Sequence, residues 1–533
     1  MQGKRLKWLF WLLLFSLFFI YSYYSILFLH PRSTHQWAQC DRISLAYNYY
    51  SENRSFLNPA VHNVNGDGTG EGVAEMPLLQ YGVAQCWKVL GFHEWMYRLL
   101  EIIILTFGLY CLFLIFYMQL ENLFLSLTGM IVIFTSPVLV YYGNNFLPDV
   151  PSFSLALIGW YFFFRYKKDS QNKFIFLSML MLTVAGLLKA SSLISLIAII
   201  GIYVLELFTR RKFGEEKKIF TSKSFPLSCF IISLLIIFLW YAFAIRYNES
   251  HNSGVFLTGT RAVWEFDAKG NQETWNNFYK QVLPELFHPY FLIVLSGLLF
   301  FNLFQRNHLS PLLYYLHGFV LLGVLSVFIL FFGSFRYHDY YAITFLIGFV
   351  FVLLIFFSVL QKRFSAILNS KVFITALGAM ILFNVSYAAL KIRMSYFAPK
   401  EKTPAEYIVP SKQVGYWRWF HWHYANTLGL YETIQSYNRS LGIKREDRVI
   451  SIPDESFNIS LYLMDQKGYS LGGINERALV LIKDWIRNRE VKYLFINHFD
   501  FSPDIQELNP YLKWKIGSYR TIDIYRVDKS LCD

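Results

Sequence analysis

Charge is what this sequence has least of. Asp, Glu, Lys and Arg make up 16% of its 533 residues, against roughly 25% in soluble domains. A soluble chain of this length would be divided into about three or four domains. The shortage of charge, set beside 55% hydrophobic and 20% aromatic residues, excludes that organisation. Cysteine is also scarce. Cys40, Cys86, Cys111, Cys229 and Cys532 show no metal-binding spacing. Cys40 and Cys86 fall in one loop and could pair, although two unrelated thiols are the simpler reading. Acidic residues are outnumbered, giving a net charge of +13. That surplus does not indicate a nucleic-acid partner, because the basic residues sit at the ends of apolar runs, where a membrane protein places them.

Apolar runs are what is abundant. They fall near 8–29, 99–118, 123–142, 150–166, 174–188, 191–208, 225–245, 289–304, 312–333, 341–360 and 372–390. At about 20 residues per crossing, they predict an α-helical polytopic membrane protein of about eleven helices. The first run follows Lys4, Arg5 and Lys7. It is too long for a signal-peptide core and no small-residue cleavage site follows, so it reads as a membrane helix. Alternation from a cytoplasmic N-terminus puts Arg165, Lys167, Lys168 and Lys173 inside. The same side receives Arg210, Arg211, Lys212, Lys217 and Lys218, then Arg306, then Lys362, Arg363 and Lys371. That is the pattern of the positive-inside rule. The opposite side receives a long first loop (30–97), a turn (143–149), a middle loop (246–288), a turn (334–340) and the tail 391–533.

In the first outer loop, "THQWAQCDRISLAYNYY" places Ala38, Ile43, Ala46 and Tyr50 near one helical face, the pattern of an amphipathic helix on a membrane surface. The Gly-rich "NVNGDGTGEG" follows as a flexible connector. "AEMPLLQYGVAQCWKVLGF" then starts a second surface helix, with Pro77 suited to its first turn. In the tail, "RVISIP" and "KYLFIN" read as buried strands, and "SFNISLYLMDQKGY" and "ALVLIKDWIRNRE" as amphipathic helices. The domains expected are therefore 1–390, transmembrane, and 391–533, a soluble α/β domain. The tail has no Gly-rich phosphate loop and no nucleophile elbow, so catalysis is not placed there.

The outer segments carry the candidate chemistry. Asp41 on the first loop helix is a solvated charge or a catalytic base. Glu75 offsets a helix dipole or binds a ligand. Asp149, between two prolines in "YYGNNFLPDVPS", is a turn residue or an active-site acid. Lys189 in "VAGLLKASSLI" snorkels or anchors an anionic lipid head. Arg336, His338 and Asp339 in "GSFRYHDYY" form an interfacial turn or a functional cluster. Carboxylates and cations at one face suit transfer of a group from a lipid phosphate to an acceptor. The phosphate leaves as a stable anion, so it needs positive charge rather than a general acid. The attacking hydroxyl or amine needs one carboxylate as base. A transporter or flippase of a lipid-linked saccharide is the alternative. It would place ionisable groups at the midplane and show internal repeats, and neither is visible.

The stretches quoted from the first loop, with "YYGNNFLPDVPSFSLAL", "GLLKASSL" and "FRYHDYY", resemble in order and sidedness the GT-C glycosyltransferases of the protein O-mannosyltransferase and lipid A aminoarabinose transferase group, in their bacterial form. The resemblance covers about 1–390, and the tail is similar to the extracytoplasmic domain of such proteins. It implies a polyprenyl-phosphate-linked sugar donor, a lipid, glycan or protein acceptor, and a multi-pass protein of the bacterial inner membrane with an extracytoplasmic active site. It also implies Asp41 as catalytic general base and Asp149 as the acidic residue of the second outer turn. Arg42, Lys189, Arg336 and His338 would bind the donor phosphate. Glu75 would be a ligand for a divalent metal ion, with His251 and His338 as further candidates. Two positions depart from the pattern. Met76 stands where a basic residue often follows the acid, and Ala38 where arginine often precedes the aspartate.

Overall fold

The computed structural model describes residues 2–209, 213, 218–220, 222–400, 407–499, 501 and 506–532. By packing, the chain divides into two units. A helical unit comprises Met1–Leu27, Arg98–Tyr241 and Gly259–Arg393. A mixed unit comprises Phe28–Tyr97, Ala242–Thr258 and Met394–Asp533. The first outer loop and part of the middle loop pack with the tail. Apolar packing joins them: Leu45, Val61 and Ala74 of the first loop cluster with Val255 and Phe256 of the middle loop, and Val64 packs in the core of the tail.

Each of the eleven apolar runs is helical. Among the described residues, six helices are long and apolar enough to cross a membrane: Trp95–Leu120, Ala190–Phe208, Ser224–Ser250, Pro311–Leu330, Asp339–Arg363 and Lys371–Tyr396. Ala268–Leu286 and Pro289–Leu303, bent by 87° at their junction, make a seventh if counted as one broken span. The difference from eleven has local causes. The first run breaks at Ser22, which adopts a left-handed conformation (φ 59°). The run 123–142 divides into Leu123–Ile133 and Pro137–Tyr142 because Pro137 has no N–H to continue the first helix. Asn172–Leu188 stops at Lys189, whose extended backbone (φ −158°) turns the chain into Ala190–Ser192 and Leu193–Phe208. The basic residues Arg210, Arg211, Lys212 and Lys217 lie outside the described residues.

Small residues let the helices approach. Asp149–Asp169 packs on Asn172–Leu188 at Gly159, where an added Cβ would stand 2.7 Å from Leu182 Cγ. Ser178 Oγ donates to the Gly159 carbonyl (2.8 Å), and Ser152 Oγ to that of Ala185 (2.7 Å). Backbones that close suit hydrocarbon, where apolar side chains gain little by leaving lipid for protein and van der Waals packing must hold the helices.

In the mixed unit, among the described residues, a five-stranded sheet has the order β2-β1-β3-β5-β4. Its strands are β1 (Arg448–Ile452), β2 (Gly468–Ser470), β3 (Val491–Asn497), β4 (Lys515–Tyr519) and β5 (Ile522–Arg526). β1 pairs in parallel with β2 and β3, while β5 runs antiparallel to β3 and β4. The near-continuous apolar "VISI" and "LFI" fit strands covered on both faces. The helix Glu476–Asn488 covers one face with Ile482, Trp485 and Ile486, and Trp485 stacks on Tyr469 at 4.1 Å.

The first-loop helices also form, as Gln36–Ser51 and Leu78–Leu90. The first is not a one-sided surface helix. Gln39, Cys40, Asp41, Ser44 and Asn48 are buried as well as Ala38, Ile43 and Ala46. Nor is the Gly-rich connector loose. Arg489 donates to the Asp67 and Gly66 carbonyls (2.7 and 2.9 Å), and Arg448 to that of Gly68 (3.1 Å). Gly66, Gly68 and Gly70 all have positive φ, the conformation only glycine adopts without strain.

Gly159→Val should wedge its helix pair apart at a cost of about 1–3 kcal/mol and lower the thermal midpoint of the solubilised protein. Gly378→Val, with nothing within 4 Å of its Cβ position, should leave the midpoint unchanged.

Candidate active site

Asp41 lies within the first-loop helix and is 1% exposed. Its Oδ1 has no hydrogen-bond partner among the described residues. Burial pushes its carboxyl up to about 7, and the neighbouring Asp454 charge adds to this, while Arg42 and a hydrogen bond from Asn458 pull the other way. A carboxylate is ordinarily a weak base at neutral pH. One held near 7 is matched to taking a proton there.

Asp454 and Asn458 come from the tail, just after β1, and were not expected as site residues. Asp454 is buried but saturated. Its Oδ1 accepts from Ser456 N–H (2.9 Å) and Ser456 Oγ (2.5 Å), and its Oδ2 from Ser460 N–H (2.8 Å). Burial raises its carboxyl too. Asn458 joins three segments: its Nδ2 donates to the Cys40 carbonyl (3.4 Å) and its Oδ1 accepts from Asn63 N–H (3.1 Å). The available signal was an acidic residue at the carboxyl end of a buried parallel strand, a usual place for function in α/β sheets.

Arg42 Nη2 donates to Glu75 Oε2 at 2.7 Å, and its guanidinium lies over the Phe256 ring at 4.9 Å. Both side chains are 14% exposed. The cation beside Glu75 is therefore Arg42, where Met76 supplies none. Cys40, buried next to Asp41, has its thiol pushed well up by burial, and Cys86 is a separate exposed thiol.

The helical unit holds the other candidates. Asp149 opens the helix Asp149–Asp169, where the dipole favours its charge. Its Oδ1 is 3.1 Å from Lys189 Nζ, with the two side chains 4% and 7% exposed. The ammonium also lies over the rings of Tyr341 (4.2 Å) and Tyr340 (5.1 Å). His338 stacks on the same tyrosines at 6.0 and 5.3 Å. Tyr142 donates to Asp339 (2.6 Å), and Arg336 is ion-paired with Glu273. Asp149, Lys189 and His338 thus share one aromatic-walled cluster, while Arg336 is held by a carboxylate that the sequence reading did not single out.

The residues do not fit a metal ion at Glu75. Its carboxylate is engaged by Arg42, and no group of three or more His, Cys, Asp or Glu side chains suited to a metal occurs among the described residues. His251 directs Nδ1 to Asp67 (2.7 Å) and Nε2 to Glu71 (3.0 Å), so its two acids lie on opposite edges of the ring and do not converge.

Residues 74–241 match the family model described as dolichyl-phosphate-mannose-protein mannosyltransferase. The solved structure of ArnT from Cupriavidus metallidurans in the apo state aligns over 100% of both chains, at 10% identity and TM-score 0.57. The fold is that of a GT-C glycosyltransferase. The same ArnT bound to undecaprenyl phosphate aligns over 98% of this chain and 99% of that one, at 10% identity and TM-score 0.58. The mycobacterial arabinofuranosyltransferase AftD aligns over 96% of this chain and 41% of its own length, at 11% identity and TM-score 0.52. No curated protein matches the chain in sequence. These likenesses are of fold, and the family model matches residues 74–241 of the 533.

Removing one partner of a buried ion pair costs about 3–5 kcal/mol, because the other charge stays buried alone. Lys189→Met should therefore sharply lower the thermal midpoint. Lys189→Met combined with Asp149→Asn should recover most of the loss, and a double-mutant cycle on melting curves measures the recovery.

Proposed function

We propose that this protein transfers a sugar from a polyprenyl-phosphate-linked donor to an extracytoplasmic lipid, glycan or protein acceptor, with Asp41 as general base. The observation that carries the reading is the buried Asp41 carboxyl, one oxygen without a partner among the described residues and its pKa raised to about 7, in a chain of GT-C fold. The acceptor oxygen or nitrogen attacks the anomeric carbon and its proton passes to Asp41. The bond from that carbon to the phosphate oxygen breaks, and polyprenyl phosphate departs as an anion. No acid is required for that departure, only positive charge near the phosphate.

Arg42 is the cation whose charge acts on Asp41, and its proposed role is to meet the phosphate by sharing its fork with Glu75. Within the helical unit, Lys189, Arg336 and His338 are the groups proposed to contact lipid phosphate, with Asp149 fixing Lys189. A metal enters no step. The resemblance to ArnT, which has been solved with undecaprenyl phosphate, supports a polyprenyl carrier. The topology proposed is a cytoplasmic N-terminus and an extracytoplasmic tail in a bacterial inner membrane.

Asp41→Asn should abolish the product while the protein remains in the membrane. Glycan and lipid mass spectrometry of a deletion strain complemented with wild-type or variant gene reads this directly, and wild-type product from the variant would sink the assignment. The pH dependence has a definite sign. The base must be ionised, so kcat/KM should fall as pH drops through about 7, and Asp454→Asn, by removing a like charge, should move that limb to lower pH. Stability runs the other way. The folded carboxyl holds its proton from an ordinary 3.8 up to about 7, so Asp41 makes the fold less stable as pH rises through that interval. Asp41→Asn should remove this slope from the melting temperature while removing activity.

A further inference from the structure

The helix Ser411–Asn426, "SKQVGYWRWFHWHYAN", is used by none of the chemistry above. Its two faces differ sharply. Val414, Trp417, Phe420 and Tyr424 turn inward, with Val414 and Tyr424 buried and Phe420 stacked on Tyr424. Tyr416, Trp419 and Trp422, spaced by three, stay 50%, 51% and 58% exposed. Large aromatics normally supply buried area, and three on one open helical face need an explanation.

The helix is also fixed in place. His421 Nε2 donates to the Met394 carbonyl (2.8 Å), in the last turn of the apolar helix Lys371–Tyr396. Arg418 donates to the Lys400 and Pro399 carbonyls at 3.2 and 3.5 Å. The aromatic face is therefore tied to the point where a membrane helix ends. It carries Lys412 and Arg418 and no acidic residue. Tryptophan and tyrosine beside basic side chains are the residues that partition to the headgroup level, apolar ring inward and polar edge in water. The charge is complementary to anionic phospholipid.

We propose that Ser411–Asn426 is an interfacial anchor, docking Tyr416, Trp419 and Trp422 into the headgroup region of the bilayer that Lys371–Tyr396 crosses. The occupant of this face is lipid, and the anchor holds the tail's first segment against the membrane. This goes beyond the transfer reaction and rests only on Lys371–Tyr396 being a membrane helix, so failure of either proposal leaves the other standing.

The test is spin-label depth measurement on the full-length protein in nanodiscs of phosphatidylethanolamine and phosphatidylglycerol. Cys86→Ser, Cys229→Ser and Cys532→Ser clear the background, and labels go in through Trp419→Cys or, separately, Lys412→Cys. Lys412 is already an exposed polar position, so its label tests depth even if loss of Trp419 disturbs the helix. Labels at both positions should collide more with oxygen than with a water-soluble nickel chelate, giving a positive depth parameter. A label at Ser440→Cys serves as aqueous reference. Values at 412 and 419 equal to the Ser440 reference would overturn the proposal. So would shielding of the label at 419 that arises only on adding a soluble oligosaccharide, which would make the face a glycan-binding surface.

Discussion

A carboxylate that folding removes from water is the interaction on which the account turns. An isolated charge in the interior is costly and is normally paired, hydrogen-bonded or neutralised. Three acids of the mixed unit illustrate three outcomes. Glu75 is paired with Arg42, Asp454 accepts from Ser456 and Ser460, and one Asp41 oxygen has no partner among the described residues. Burial lifts the Asp41 carboxyl to about 7, within reach of a proton at neutral pH. The burial of its helix on several faces and the tail's approach through Asn458 keep it from water. The same logic governs Asp149, where a buried lysine and two tyrosine rings replace solvent.

The part of the fold that depends on bulk hydropathy was legible from sequence. Every apolar run became a helix, because hydrocarbon leaves the backbone no other way to satisfy its polar groups. The two buried strands of the tail and the helix Glu476–Asn488 were equally plain from their periodicity. What hydropathy could not give were the breaks at Ser22 and Pro137, where one conformation or one missing N–H divides a run. It also misjudged the first-loop helix, since Gln39, Ser44 and Asn48 read as solvent-facing. They are buried because they hydrogen-bond inward: Gln39 to the Arg32 and Thr34 carbonyls, and Asn48 to that of Ala60.

The candidate residues divide in the same way. Asp149 and Lys189 are 40 positions apart, yet both were singled out as polar groups at run ends, and they prove to be an ion pair. Arg42 with Glu75 was likewise visible as charge in one loop. Asn458 and Glu273 were missed because nothing local marks them, and Asp454 because its place after a buried strand gains meaning only beside Asp41. Each matters through a partner distant in sequence, and only the fold reveals which acid stands beside Asp41 or Arg336.

The central claim is transfer of sugar from a lipid phosphate, and the most direct measurement is release of the carrier. Purified protein in nanodiscs would be given a panel of polyprenyl-phosphate-linked sugars with a cell-envelope extract as acceptor, and free polyprenyl phosphate would be quantified. The account predicts stoichiometric release and sugar incorporation with at least one donor, both lost in Asp41→Asn. No release with any donor, while the same lipid-linked sugars cross a vesicle bilayer intact in a protein-dependent manner, would contradict it and make the protein a carrier.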